Sequence, residues 1–115
     1  MEIHELISIQ RDFDSKHISN FNWSENITER NTQMLGYLLL SLSGEVGEAA
    51  NLTKKIIRGD FSLSDKKEEL EKEIADIFIY VIKLIYQLDF DIEKVYFEKL
   101  NENRERFTRY EENSD

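Results

Sequence analysis

Apolar residues recur along this chain at intervals of three and four, the spacing that aligns one face of a helix. Ile3, Leu6 and Ile7 predict a short first helix over residues 2–14. The pattern then lapses across a Ser/Asn-rich loop, residues 17–26, which carries the aromatics Phe21 and Trp23. From residue 28 to 58, Leu35, Leu38, Leu39, Leu42, Val46, Leu52 and Ile56 predict a long second helix, with Thr28 capping its start and Gly59 as a left-handed stop. Ser62, Ser64 and Asp65 supply capping oxygens for a third helix. Its stripe is Leu70, Ile74, Ile77, Val81, Leu84 and Leu88. Asp91 caps a fourth helix over residues 92–109.

Short connections between the last three helices favour antiparallel neighbours, so the expected fold is all-α, a bundle of about four helices. It divides into an N-terminal helix and loop (1–27), a helical core (28–110) and a frayed acidic tail (111–115). Proline is absent, and Glu, Lys, Leu and Ile dominate, which favours helices with few interruptions. A chain of 115 residues makes one domain. Helices this apolar leave faces for a second copy, so a homo-oligomer is expected.

Charge and composition remove several functions. The formal net charge is −9, which opposes a groove for a nucleic acid polymer. The mostly apolar run Ile77–Tyr86 is interrupted by Lys83 and is too short to cross a bilayer. MEIHELISIQ carries acids where a signal peptide needs basic residues. No membrane partner and a cytoplasmic location are therefore expected. Without cysteine there are no disulfides, thiolate metal sites or thiol nucleophiles.

The chemistry resides in two acidic pairs, Glu45 with Glu48 and Glu73 with Asp76. At about 100° per residue, Leu38 and Leu52 point within roughly 20° of Glu45, and Tyr80 and Leu84 within roughly 20° of Glu73. Both pairs are thus expected to face inward. Four carboxylates gathered in a bundle repel one another and lose hydration. Protonation, pairing with basic side chains such as Lys83, or a hard divalent cation would each compensate. An oxygen-only set, with neither cysteine nor histidine on these helices, suits Mg²⁺ or Mn²⁺ and opposes zinc. The plainer alternative places the acids on a solvated face. Gly36, Gly44 and Gly47 lie within the second helix, where they permit close contact, leave room for a ligand, or break the helix.

Glu45-x-x-Glu48 followed by Glu73-x-x-Asp76, within GEVGEAANLTKKIIRGD and LEKEIADIFIYVIKLIYQLDFDIEKVYFEKLNENRERF, resembles the all-α nucleoside triphosphate pyrophosphohydrolases, the MazG-like group. The likeness spans about residues 35–107. It implies a Mg²⁺-dependent enzyme that splits an NTP or dNTP into monophosphate and pyrophosphate. It also implies homodimers or homotetramers with sites formed partly between subunits. Glu45, Glu48, Glu73 and Asp76 match the family's metal ligands and catalytic acids, with Glu45 the choice for base. Lys99 and Asn103 match positions that meet phosphate or sugar, and Tyr80 resembles an aromatic near the nucleotide. Lys55 lies on the Glu48 side of its helix, within reach of phosphate. His17 and Trp23 fall where pyrimidine-preferring relatives place base contacts. Two rivals stand beside this reading: a non-catalytic nucleotide- or metal-binding bundle acting through a partner, and a structural acidic bundle. A di-iron bundle is opposed by the lack of Glu-x-x-His.

Overall fold

Helix start and stop signals decide most of the architecture. The computed structural model describes residues 1–17 and 22–112, which form α1 (Ile3–Lys16), α2 (Gln33–Ile57), α3 (Leu63–Gln87) and α4 (Ile92–Glu112), with no strand among them. Phe21 and residues 113–115 of the expected tail lie outside the described residues, and the first part of that tail continues α4.

The α2–α3 connection follows the sequence closely. Gly59 is left-handed at φ 89°, the Arg58 guanidinium bridges to Asp60 at 2.6 Å, and Ser62 Oγ accepts the Asp65 N–H at 3.1 Å. So short a turn folds α3 back antiparallel on α2, the closest-packed pair in the molecule. Asp91 likewise begins α4 by accepting the Lys94 N–H at 3.3 Å.

The start of α2 differs from the expectation. Thr28 does not cap it: Asn31 Oδ1 accepts the Thr28 N–H at 2.6 Å, and Asn31 Nδ2 donates to the Asn26 carbonyl at 2.8 Å. These local bonds hold residues 26–31 outside the helix, which begins only at Gln33. Downstream, α2 passes unbroken through Gly36, Gly44 and Gly47.

The core is narrower than the predicted stripes. Met34, Leu38 and Leu52 of α2 are buried against Ile82, Ile85 and Tyr86 of α3, whereas Leu39, Val46, Ile74 and Leu88 are exposed. Burial shifts toward the end of α3 because that segment meets α2 on one side and α1 on the other. Gln87, fully buried, fastens the loop there. Its side-chain N–H donates to the Glu25 carbonyl at 2.8 Å and its main-chain carbonyl accepts the Ile27 N–H at 2.7 Å.

The expected all-α architecture of four helices is present, and its packing is concentrated where α2 and α1 each meet α3. Beyond Asp89, left-handed at φ 56°, α4 leaves the others. Its first turn borders a hollow with Ile3, His4 and Ile7, and beyond it Tyr96 and Phe97 are 58% and 59% exposed.

Candidate metal and nucleotide site

The antiparallel register of α2 and α3 brings the two acidic pairs together midway along both helices. Glu45, Glu73 and Asp76 each offer a carboxylate oxygen within 4.8 Å of the others. Glu48 stands beside them, near enough to repel both Glu45 and Glu73. The inward expectation holds for half of the set: Glu45 and Glu73 are half-buried, while Glu48 and Asp76 are exposed at the open side. Helical geometry explains the split, since Asp76 is rotated about 60° from Glu73.

Glu45 Oε2 and Glu73 Oε2 are buried and have no hydrogen-bond partner. Buried polar oxygens are ordinarily satisfied, so these two require another source of positive charge or protons. Both carboxyls hold their protons above the ordinary carboxylate range. Lost hydration is the main cause for each, followed for Glu45 by repulsion from Glu48 and Asp76, and for Glu73 by its contact with Glu48 and repulsion from the other acids. Lys83, one basic candidate for relieving them, is instead engaged by Asp14, Nζ to Oδ1 at 3.2 Å. All-oxygen donors, two of them orphaned, fit a hard divalent cation, with Glu45, Glu73 and Asp76 nearest one another and Glu48 at the rim. The glycines contribute space rather than close helix contact: a Cβ added at Gly44 or Gly47 would meet nothing within 4 Å.

An open hollow of about 470 Å³ extends from Glu45 and Asp76 past Tyr80 to Phe13, Asp14 and Lys83. A second, of about 240 Å³, shares Phe13, Asp14, Tyr80 and Lys83 and adds His17 and Trp23. The structure therefore brings Tyr80, His17 and Trp23 to one region beside the acids. His17 stacks on Phe13 with ring centroids 4.2 Å apart, and its Nδ1 lies 2.6 Å from the Phe13 carbonyl oxygen. Trp23 is placed by the loop that Gln87 fastens.

Other expected contacts are not gathered here. Lys99 is exposed on α4, 3.5 Å from Glu102, and Asn103 is half-buried on the same helix; neither borders the hollow within this chain. Lys55 is half-buried near the end of α2, two turns from Glu48, and borders neither hollow. Sequence reasoning overlooked Gln10, Phe13 and Asp14 of α1. The available signal was an acid, Asp14, two turns after Ile7 and so on the apolar face of the first helix, together with a lysine inside the apolar run Ile77–Tyr86. A long-range pair of opposite charges accounts for both.

Residues 33–107 match the MazG nucleotide pyrophosphohydrolase domain. Gene 37 protein of Mycobacterium phage L5 is 35% identical over 77 residues, a stretch covering 65% of this chain and 68% of the phage protein. No solved structure matches the chain.

Proposed function

From the premise that this chain belongs to the MazG nucleotide pyrophosphohydrolase family, we propose that it is a Mg²⁺-dependent hydrolase converting an NTP or dNTP to the monophosphate and pyrophosphate. The observation that carries this reading is the pair of buried, partnerless oxygens on Glu45 and Glu73, beside an aromatic-lined hollow that Glu45 and Asp76 border. Glu45, Glu48, Glu73 and Asp76 would hold Mg²⁺, with Mn²⁺ as a substitute. When bound, the cation supplies positive charge for the triphosphate oxygens and for the charge that develops on them.

The chain's own residues position and accept. A water oxygen attacks the α-phosphorus, the bond from that phosphorus to its bridging oxygen breaks, and pyrophosphate leaves with the electron pair. The Glu45 carboxylate takes the water's proton, a role suited to an acid that borders the hollow and has one oxygen without a partner. Tyr80, His17 and Trp23 flank the sugar and base.

The exposed apolar face of α4 with Tyr96 and Phe97 supports assembly with a second copy. Lys99 and Asn103 then serve a neighbouring subunit's phosphates, and Lys55 takes a lesser part from α2. With no helix of the described residues long and apolar enough to cross a membrane, a nucleotide pool in the cytoplasm is the proposed setting.

The test is incubation of the purified protein with each NTP and dNTP in Mg²⁺ or Mn²⁺, with product separation and with light scattering on the same preparation. Monophosphate and pyrophosphate in equal amounts from a dimer or larger species are expected. Binding of a nucleotide without turnover would replace this reading with that of a non-catalytic nucleotide-binding bundle.

A further inference from the structure

Beside the acids, at the aromatic end of the hollow, lies a polar device that the hydrolytic chemistry does not use. Asp14, only 3% exposed, is held by three donors. Gln10 Nε2 donates to Oδ1 at 3.0 Å, Lys83 Nζ donates to the same oxygen at 3.2 Å, and the Tyr86 hydroxyl donates to Oδ2. Both carboxylate oxygens are therefore engaged, and Asp14 has no task left except to fix its partners.

Lys83 is in a different position. Its ammonium has three N–H donors, and among the described residues it makes a hydrogen bond only to Asp14. It lies 5.9 Å from the centre of the Trp23 ring and 5.6 Å from that of Tyr80, so the two rings flank a cation with donors to spare. Lys83 is seven residues after Asp76 on α3, hence on the same face and about 10 Å farther along the helix axis. Tyr80 stands between them, and one hollow touches all three. A nucleotide whose phosphates lie at the acids directs its sugar past Tyr80 and its base among the rings next to Lys83.

We infer that Lys83, positioned by Asp14, is a specificity-determining residue that donates to a carbonyl oxygen of the nucleobase, so that the site takes oxo bases and discriminates against adenine. The inference rests on the nucleotide reading proposed above. An ammonium only donates, so it rewards a base edge with a carbonyl acceptor, as in uracil, thymine and guanine. Adenine has no carbonyl and presents an amino group, itself a donor.

Trp23 is the single tryptophan of the chain, so its fluorescence reports on this hollow directly. The experiment titrates the full chain, in Mg²⁺, with dUMP, dGMP and dAMP. The wild type is expected to bind dUMP and dGMP about tenfold more tightly than dAMP, the effect of one hydrogen bond to a charged donor. K83M should bring the three affinities together through loss of dUMP and dGMP binding, whereas K83R should retain the preference. Should K83M fail to fold, K83Q, neutral but still able to donate to Asp14, is expected to reduce the preference in the same direction. Equal affinities in the wild type, an unchanged ratio in K83M or K83Q, or no change in Trp23 emission with any of the three nucleotides would overturn the inference. Because the titration reads binding, a protein that shows the preference but releases no pyrophosphate would remove the hydrolase reading alone. One that hydrolyses dNTPs without regard to base would remove this inference alone.

Discussion

Glu73→Gln is expected to lower pyrophosphate release by at least about 100-fold while raising the melting temperature of the metal-free protein. The loss follows from the site: Glu73 supplies one of three carboxylate oxygens lying within 4.8 Å of one another, and even the groups that merely orient metal ligands cost about 10- to 100-fold when removed. The gain in stability follows from the same geometry. Glu73 is half-buried, one of its oxygens has no partner, and its neighbours are Glu45, Glu48 and Asp76. A neutral amide of the same shape removes the repulsion and the cost of an ion without full hydration. Activity and stability thus move in opposite directions, as expected where a functional site is kept at the expense of the fold. Product assays and thermal unfolding in a chelator read the two effects separately. A variant that loses activity and also loses stability would mean that Glu73 is structural.

Asp14→Ala is expected to produce the largest loss of stability of any single acid-to-alanine change, about 3–5 kcal/mol. It removes the acceptor shared by Lys83, Gln10 and the buried Tyr86 hydroxyl, and leaves the Lys83 side chain, 13% exposed, without its counter-charge. Burial, the main cause that holds the Tyr86 hydroxyl far above the usual phenol range, persists in the variant, so the hydroxyl does not relieve the charge by ionising. By contrast, breaking the Lys16–Asp12 pair, whose side chains are more than half exposed, should change stability by less than about 1 kcal/mol. Urea unfolding of the two variants checks the contrast. Equal effects would show that the Asp14 cluster does not hold α1 to α3.

What could be read from the sequence was local. The turn at Gly59, the cap at Ser62 and the facing of Glu45 toward Glu73 each depend on helical angles over a few residues, and they reappear in the structure. Asn31 defeated the predicted start of α2 because its side chain can satisfy the backbone of Thr28 and Asn26 as well as a helix turn can. Asp14 and Lys83 are 69 residues apart, and no periodicity within either helix announces their pairing. The departure of α4 was hidden for a related reason. Val95, Tyr96 and Phe97 suggest packing, but the direction of the helix is set by the turn around Asp89, and their exposure follows from it.

The central claim is that the acids of α2 and α3 gather where, at neutral pH, a divalent cation relieves them, and thermal unfolding with and without Mg²⁺ across pH tests it most directly. Glu45 and Glu73 hold their protons more tightly when folded than the ordinary value of 4.5. Their penalty on the fold is therefore complete at pH above their raised values and disappears below about pH 4.5, where the unfolded chain is protonated as well. Magnesium should raise the melting temperature most at neutral pH, less as pH falls through the raised values, and not at all near pH 4. A melting temperature indifferent to Mg²⁺ at pH 7.5, or a gain that persists undiminished at pH 4, would contradict the account.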